Sequence, residues 1–327
     1  MNSSGQVRWG ILGTANIARA SFLPGLRHAG GVAAAVAGRE AARTEKYASD
    51  NGVERAVTGY QNLIDDPAVD VLYIALPNAL HAQWTIRALE AGKPVLCEKP
   101  LCGVLPDTEG VLAAARYTGT LLWEAFVFPF HPQLRRIRDL LADGVIGELM
   151  EIKSNFHFKI RNADNIRYSS ALQGGALRDV GCYPIRLAQE LFGPGYESAW
   201  ARATMGGDDV DVDVWGVLGY PGGRRLMLSA GMERSYDTFT TLEGTAGQIH
   251  LTNPFHPGPG DSVQVLTAGA EPSEFAAADE PSFSAAIRHI NAVISGDEAP
   301  RLLAVDTSLA TARALHDLAQ SFARLTG

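Results

Sequence analysis

Val7-Arg8-Trp9-Gly10-Ile11-Leu12-Gly13-Thr14-Ala15-Asn16-Ile17-Ala18 joins a short apolar run to a glycine turn and a helix start. The run reads as a strand. Gly13 to Ala18 follows the dinucleotide fingerprint G-x-G-x-x-G/A with one departure, Ala15 in place of the second glycine. That glycine ordinarily lets the backbone approach a pyrophosphate, and a methyl group is the smallest possible intrusion on it. Gly13 can still make the tight turn, and Ala18 still permits close packing of helix on strand. The turn through Thr14, Ala15, Asn16 and Ile17 still aims helix N-terminal amides at an anion. Pro24-Gly25 should kink or shorten this first helix.

Working outward, the next strand, Val32 to Ala37, ends at Gly38-Arg39, with Arg43 one helical turn further on. An NAD site usually places Asp or Glu at this point for the ribose 2′-hydroxyl, whereas an NADP site accommodates the 2′-phosphate with Arg. Arg39 can fork onto phosphate oxygens, and Arg43 can reach the same group. The alternative is that both arginines solvate a helix start. Coming after the fingerprint, the phosphate reading is preferred, so NADP(H) is expected over NAD(H).

The β-α alternation continues through a helix tail at Lys46 to Asn51, a short strand at Val57 and a helical turn at Gln61 to Ile64. The apolar strand Asp70 to Ala75 leads into Leu76-Pro77-Asn78-Ala79-Leu80-His81. A helix over Ala82 to Glu90 follows, and then Lys93-Pro94-Val95-Leu96-Cys97-Glu98-Lys99-Pro100. Val95 to Cys97 is a short buried strand, so Glu98 and Lys99 sit at its carboxyl end, where open α/β sheets bind ligands. Leu76, Pro77 and Asn78 share that edge, and Asn78 can hydrogen-bond a ribose or carboxamide. His81 can cap, buttress or ligate, and structural support is its preferred role. Glu109 to Tyr117 forms another helix. Thr120 to Trp123 closes an alternation whose size suits one nucleotide-binding domain.

Beyond it the pattern changes. Residues 149–158 alternate, with Met150, Ile152, Phe156 and Phe158 on one face, and 198–204, 212–220, 224–233, 237–243 and 247–252 are also strand-like. Short strands without intervening helices imply an antiparallel sheet, one face of which can serve catalysis or a subunit contact. Ser282 to Ser295 and Asp306 to Leu325 read as amphipathic helices, and Ala268 to Pro281 as a surface loop. Gly174-Gly175-Ala176-Leu177-Arg178-Asp179-Val180-Gly181-Cys182-Tyr183-Pro184 stands apart. Asp179 and Tyr183 share a helix face, while Gly181 and Pro184 are poor helix-interior residues. Local rules broken in mid-element often mark a functional site. A tyrosine can pass a proton to or from a hydroxyl or carbonyl when a nearby cation lowers its pKa, and a carboxylate can orient either group. The alternative is a packed tyrosine beside a structural aspartate. Spacing alone does not bring Lys99 and Tyr183 together.

Composition narrows the classes. A chain of 327 residues, 46% hydrophobic and 20% charged, has room for two globular domains. A net charge of −8 disfavours general nucleic-acid binding. No apolar run reaches membrane-spanning length, and the polar Met1 to Gln6 start carries no secretory signal pattern. Cys97, Cys102 and Cys182 form no CxxC pair and read as reduced thiols of a cytoplasmic protein. The scattered histidines offer no metal spacing. Asp208, Asp209, Asp211 and Asp213 resemble an oxygen cage but read as a solvated loop entering a strand.

Four blocks in order, Gly10 to Ala18, Pro77 to His81, Gly92 to Pro100 and Gly174 to Pro184, resemble the Gfo/Idh/MocA oxidoreductase family. The resemblance covers nearly the whole chain. It implies α/β architecture: a Rossmann parallel-sheet domain, 1–122, then an α/β domain, 123–327, with a large open, mostly antiparallel sheet. It further implies a nicotinamide between the domains, a last helix (about 306–325) packing back on the first domain, and a homodimer or homotetramer formed through the second sheet. By the same resemblance Lys99 is the catalytic lysine, Asp179 the catalytic aspartate and Tyr183 the acid/base. Tyrosine there is similar to the dihydrodiol and D-xylose dehydrogenase branch and to sugar ketoreductases, as are Trp123 to Phe126 and Asn165 to Arg167. Arg167 is therefore expected near cofactor or substrate. The expected reaction is NADP(H)-dependent hydride transfer at a hydroxyl or carbonyl carbon of a sugar or cyclic alcohol. Tyr183 would move the hydroxyl proton, with Lys99 as the alternative donor. Rival readings are reduction of a nucleotide-linked keto-sugar, a non-catalytic cofactor sensor, and a returning-hydride elimination.

Overall fold

Strands β1 (Arg8–Leu12), β2 (Val32–Gly38), β3 (Ala56–Thr58), β4 (Val71–Ile74), β5 (Val95–Cys97) and β6 (Leu122–Glu124) form a parallel sheet ordered β3-β2-β1-β4-β5-β6. The computed structural model describes residues 5–258, 260–277 and 280–323. Most of the expected polar start (Met1 to Ser4) and positions 324 and 325 of the expected last helix lie outside the described residues. Helices α1 (Leu23–His28), α2 (Ala41–Asn51), α3 (Tyr60–Ile64), α4 (Asn78–Glu90) and α5 (Leu105–Thr118) connect the strands. Leu12, Ala35, Leu72, Ile74, Leu89, Val95, Val111 and Leu122 share one buried cluster. The strands are short and apolar because both faces of the sheet are covered.

Register fixes one functional edge. Leu12 pairs with Ala37 and with Ile74, Ile74 with Cys97, and Cys97 with Glu124. Gly38, the last residue of β2, and the residues that leave the other strands, Gly13, Ala75, Glu98 and Ala125, therefore lie side by side along one edge. Strand order reverses between β1 and β4, the switch point where open α/β sheets bind ligands.

Two expectations need correction here. The helix expected over 82–90 begins at Asn78, so Asn78 and His81 lie in its first turn behind Pro77. Proline cannot donate, and a donor is dispensable at a helix start. In the first helix, Pro24 follows a single π-turn, Ala18–Phe22, in which the Leu23 N–H donates to the Ala18 carbonyl. That wider turn takes in a residue that would break a regular α-ladder. Gly25 is needed because a Cβ there would lie 2.6 Å from the Phe283 Cβ.

The chain divides into two compact units, Met1–Val127 with Glu280–Leu309, and Phe128–Asp279 with Ala310–Gly327. The later segment of the first unit includes α8 (Ser284–Ser295) and the start of α9 (Ala304–Ala323), which follow α6 (Pro132–Ala142) and α7 (Cys182–Phe192) of the second. Asn291 on α8 accepts from the Trp9 indole (2.9 Å), and the Arg301 carbonyl accepts from that of Trp123 (3.1 Å).

The second unit holds a nine-stranded sheet. Its strands are β7 (Leu149–Lys159), β8 (Ser198–Met205), β9 (Asp211–Gly219), β10 (Arg225–Gly231), β11 (Glu233–Asp237), β12 (Thr240–Gly244), β13 (Gly247–Leu251), β14 (Ser262–Thr267) and β15 (Ser273–Ala276). Its order is β15-β14-β13-β12-β7-β10-β9-β8, with β11 pairing β7. The β7–β10 pair is parallel and the others antiparallel. β15 corrects the surface-loop reading of 268–281, of which 278 and 279 lie outside the described residues. This edge strand is exposed except for Phe275, so no buried alternation reveals it. Helix α7 covers Phe156 and Ala230 on one face of the sheet. The other face presents Trp200, Trp215 and Met227, each at least 40% exposed.

Candidate active site

Gly13 has φ +102°, a conformation side chains resist, and its N–H donates to the Ala37 carbonyl (2.9 Å). A Cβ at Gly13 would lie 2.6 Å from the Ala75 carbonyl oxygen, so the turn is open only to glycine. Ala15 is different. It is absent from the positive-φ residues, so its methyl is carried on ordinary backbone. Its carbonyl accepts from the Tyr47 hydroxyl (3.1 Å), and burial pushes that phenol up to about 12 although Arg19 pulls the other way. Thr14 and Ile17 are half-buried and Asn16 is exposed, with Asn16 accepting from Arg19 (2.6 Å).

Gly38 closes β2 against α2, where a Cβ would lie 2.1 Å from the Thr44 hydroxyl. Arg39 and Arg43 are exposed, and neither guanidinium has an ion-pair partner among the described residues. An anion-accepting turn followed by two uncommitted guanidinium groups is a donor set that fits a dinucleotide, including one carrying an extra phosphate. Leu76 is buried, Pro77 and Asn78 are half-buried at the neighbouring strand end, and Lys99 is half-buried beyond β5. The Lys99–Pro100 peptide is cis.

Two residues of the motif blocks, His81 and Glu98, are buried, and His81 takes the supporting role preferred for it. His81 is fully buried, with Nε2 2.8 Å from the Leu76 carbonyl and Nδ1 3.0 Å from that of Pro100. It ties the loop after β4 to the loop carrying Lys99. Burial pushes its imidazole below the usual range, and the Lys99 charge acts in the same direction. Glu98 is 8% exposed and accepts from the Tyr73 hydroxyl (2.5 Å). Tyr73 in turn stacks on Phe22 with centroids 3.9 Å apart.

In the second unit the Gly174-to-Pro184 block forms a π-turn, Leu177–Gly181, running into α7. A π-turn reconciles Gly181 and Pro184 with a continuous helix, and such turns gather at functional sites. A Cβ at Gly181 would lie 3.0 Å from a Leu177 methyl of the same turn and in ordinary contact, 3.4 Å, with that of Ala230 on β10. Asp179 accepts from the Arg167 guanidinium (2.6 Å), and Arg167 also lies over the Phe158 ring. Arg167 and Asp179 thus meet each other. Tyr183 is 5% exposed, and its hydroxyl lies 3.2 Å from His256 Nε2.

Sequence reading missed His256 and the role of Asp211. Asp208 and Asp209 are exposed in left-handed turns, and Asp213 pairs with Arg234 (2.6 Å). Asp211, expected to be solvated, is buried and accepts from the Leu177 N–H (2.6 Å) at the head of the π-turn. Burial pushes its carboxyl up to about 6, against the pull of that N–H and of Arg178. Its signal in the sequence was Gly175, where a Cβ would lie 2.3 Å from Asp211 Oδ1. The signal for His256 was its place between Pro254 and Pro257 in a polar loop. No group of His, Cys, Asp or Glu among the described residues could hold a metal ion. Cys97, Cys102 and Cys182 form no disulfide and are buried, and burial raises the first two thiols. No helix of the described residues is long and apolar enough to cross a membrane.

A glycine turn at the switch point of a parallel sheet, with arginines after the second strand, defines a Rossmann dinucleotide-binding protein. Residues 7–126 match the oxidoreductase family with an NAD-binding Rossmann fold, and residues 134–250 match the GFO/IDH/MocA C-terminal domain. The chain belongs to the Gfo/Idh/MocA oxidoreductase family. It is 40% identical over 259 residues to a dTDP-3,4-didehydro-2,6-dideoxy-alpha-D-glucose 3-reductase of Streptomyces violaceoruber, covering 78% of this chain and 75% of that protein. It is 35% identical to D-xylose 1-dehydrogenase (NADP(+)) 2 of Haloferax volcanii, covering 80% of each. A solved 3-ketoreductase from Actinomadura kijaniata, in complex with NADP and TDP-benzene, superposes with a TM-score of 0.89 at 33% identity, covering 97% of this chain and 98% of that one.

Proposed function

We propose that the protein is an NADP(H)-dependent oxidoreductase that interconverts a hydroxyl and a carbonyl on a sugar or cyclic alcohol. The observation carrying the proposal is the shared sheet edge, on which the Gly13 turn, Gly38-Arg39 and Lys99 leave neighbouring strand ends. Sugar-directed relatives, one named for NADP and another crystallised with it, support the same reading.

Gly13 to Ile17 would cradle the pyrophosphate, Arg39 and Arg43 a 2′-phosphate, and Leu76 to Asn78 the nicotinamide half. A bound reduced nicotinamide supplies the hydride. In the reductive direction Tyr183 gives its hydroxyl proton to the substrate oxygen, and in the oxidative direction it takes the proton back. The Lys99 ammonium offsets the negative charge developing on that oxygen and favours the tyrosinate. Asp179, held by Arg167, orients the substrate or Lys99. Lys99 is the alternative donor, and replacing each residue in turn separates the two roles.

Homology to dTDP-keto-sugar reductases favours a second reading, in which the substrate carries a nucleoside diphosphate. A screen of free sugars, cyclic diols and nucleotide-linked keto-sugars with NADPH and NADP+ tests both. Tyr183→Phe and Lys99→Ala should each lower turnover at least about 1000-fold while NADPH binding stays within about threefold. Normal turnover by Tyr183→Phe would sink the assignment. We further propose that the protein is cytoplasmic and that two copies pair through the open sheet face bearing Trp200, Trp215 and Met227. The combined exposure of these large side chains is what a subunit contact would cover.

A further inference from the structure

The loop after β13 reads Asn253-Pro254-Phe255-His256-Pro257-Gly258. Its conformation is fixed from within. The Asn253 side-chain oxygen accepts from the His256 N–H (3.1 Å), and its amide donates to the His256 carbonyl (2.7 Å) and to Asp261 (3.2 Å). Phe255 is fully buried and stacks on Phe156 with centroids 5.7 Å apart. The His256 ring then stands edge-on to Tyr183 at 5.2 Å and to Phe156 at 6.0 Å. It brings Nε2 to 3.2 Å from the Tyr183 hydroxyl.

The surroundings of the two partners differ. Tyr183 is enclosed by Phe128, Phe156 and Phe255, with centroids at 6.4, 5.3 and 5.1 Å. His256 is half-buried, with part of its surface open to solvent. A buried phenol that loses and regains a proton in each turnover needs a route to water, and imidazole is the side chain suited to carry protons near neutral pH. Charged groups on the segments that carry the pair include Asp179 with Arg167, one turn earlier on the helical segment of Tyr183, and Asp261 behind Asn253.

We propose that His256 acts through Tyr183 as its proton partner, passing the proton between the buried phenol and solvent. This rests on the reading of Tyr183 as the acid/base of the reaction. In the reductive direction the Tyr183 O–H bond breaks as the substrate O–H bond forms, with the hydride coming from the reduced cofactor of the proposed reaction. The phenolate oxygen then takes the Nε2 proton of the His256 imidazolium, and the neutral imidazole recovers a proton from water. One proton and one hydride are consumed per carbonyl reduced.

A merely structural histidine would be replaced well by glutamine, which keeps a donor and an acceptor but does not titrate. His256→Gln is therefore expected to keep its melting temperature and NADPH affinity. Its kcat should fall about 30-fold with KM within about threefold, and one ionisation should vanish from its pH profile. Free imidazole should restore part of the turnover of His256→Ala. A second readout needs no turnover: the histidine resonances of the full cofactor-free chain, titrated by NMR and assigned with His256→Gln. Tyr183→Phe should move the His256 midpoint by about half a pH unit or more.

A His256 midpoint indifferent to Tyr183→Phe overturns the proposal. Wild-type kcat and pH profile in His256→Gln overturn it as well, and with wild-type turnover present the oxidoreductase reading is untouched. A wild-type protein that turns over none of the screened substrates overturns the reading itself, and the proton-passing role with it.

Discussion

Gly13→Ala separates the two small residues of the dinucleotide turn. The added Cβ would lie 2.6 Å from the Ala75 carbonyl oxygen and 2.9 Å from a Leu76 methyl. Neither side yields easily, because the Gly13 N–H is held by Ala37 and the Ala75 N–H by Leu12. Holding an alanine at φ +102° costs about 1–3 kcal/mol, and overpacking against fixed backbone adds about 1–3 kcal/mol. The sum, about 4 kcal/mol, corresponds to a fall of about 8–16 °C in melting temperature for a unit of this size. Relief of the clash would turn the amides away from the pyrophosphate, so NADPH affinity should drop at least about tenfold. Ala15→Gly is the internal control. Ala15 occupies ordinary backbone, so the change removes only about 0.5–1 kcal/mol of chain restriction and should leave NADPH affinity within about threefold. The assays are thermal unfolding followed by near-UV circular dichroism and NADPH fluorescence titration. A Gly13→Ala protein that melts within about 2 °C of wild type and binds NADPH normally would refute this account of the turn.

Other perturbations address the remaining assignments. Arg39→Ala should weaken NADPH about 10–150-fold, the value of one charge-assisted phosphate contact, and leave NADH unchanged; equal losses for both cofactors would remove Arg39 from the phosphate site. Trp215→Glu should weaken self-association about 30-fold or more in light scattering, because Trp215 is 48% exposed beside Trp200 on the open sheet face. A monomeric wild type would end that reading. Burial of Asp211 raises its carboxyl from 3.8 to about 6, so the folded state binds this proton more tightly than the unfolded chain. The resulting stability, about 3 kcal/mol, is fully present below about pH 4 and lost as pH rises through about 6. Measured by urea unfolding, wild type should therefore lose that amount relative to Asp211→Asn between pH 4 and 7, and a constant difference would refute it.

What was legible in the sequence depended on how local the physics was. Leu12-Gly13 and Gly38-Arg39 are strand ends marked by a turn residue, and apolar runs such as Val95 to Cys97 mark strands buried on both faces. Their order alone built the parallel sheet and its ligand edge. β15 was lost because an exposed edge strand carries no buried alternation, and the start of α4 because Asn78 and His81 follow a proline that ends one element and caps the next. Roles inside the motif blocks were harder to read. His81 and Glu98 sit in motif blocks beside Lys99, and motif membership does not tell a residue that faces a ligand from one that holds its neighbour in place. Only the carbonyls around His81 and the Tyr73 hydroxyl on Glu98 separate the two. Asp211 and His256 lie furthest from legibility, since each meets the Gly174-to-Tyr183 block from a strand or loop distant in sequence. Both nevertheless left a trace in a residue of special backbone geometry, Gly175 at φ +111° against Asp211 and the prolines on either side of Phe255-His256. Both side chains meet the segment that carries Asp179 and Tyr183 where glycine or proline sets the backbone beside the contact.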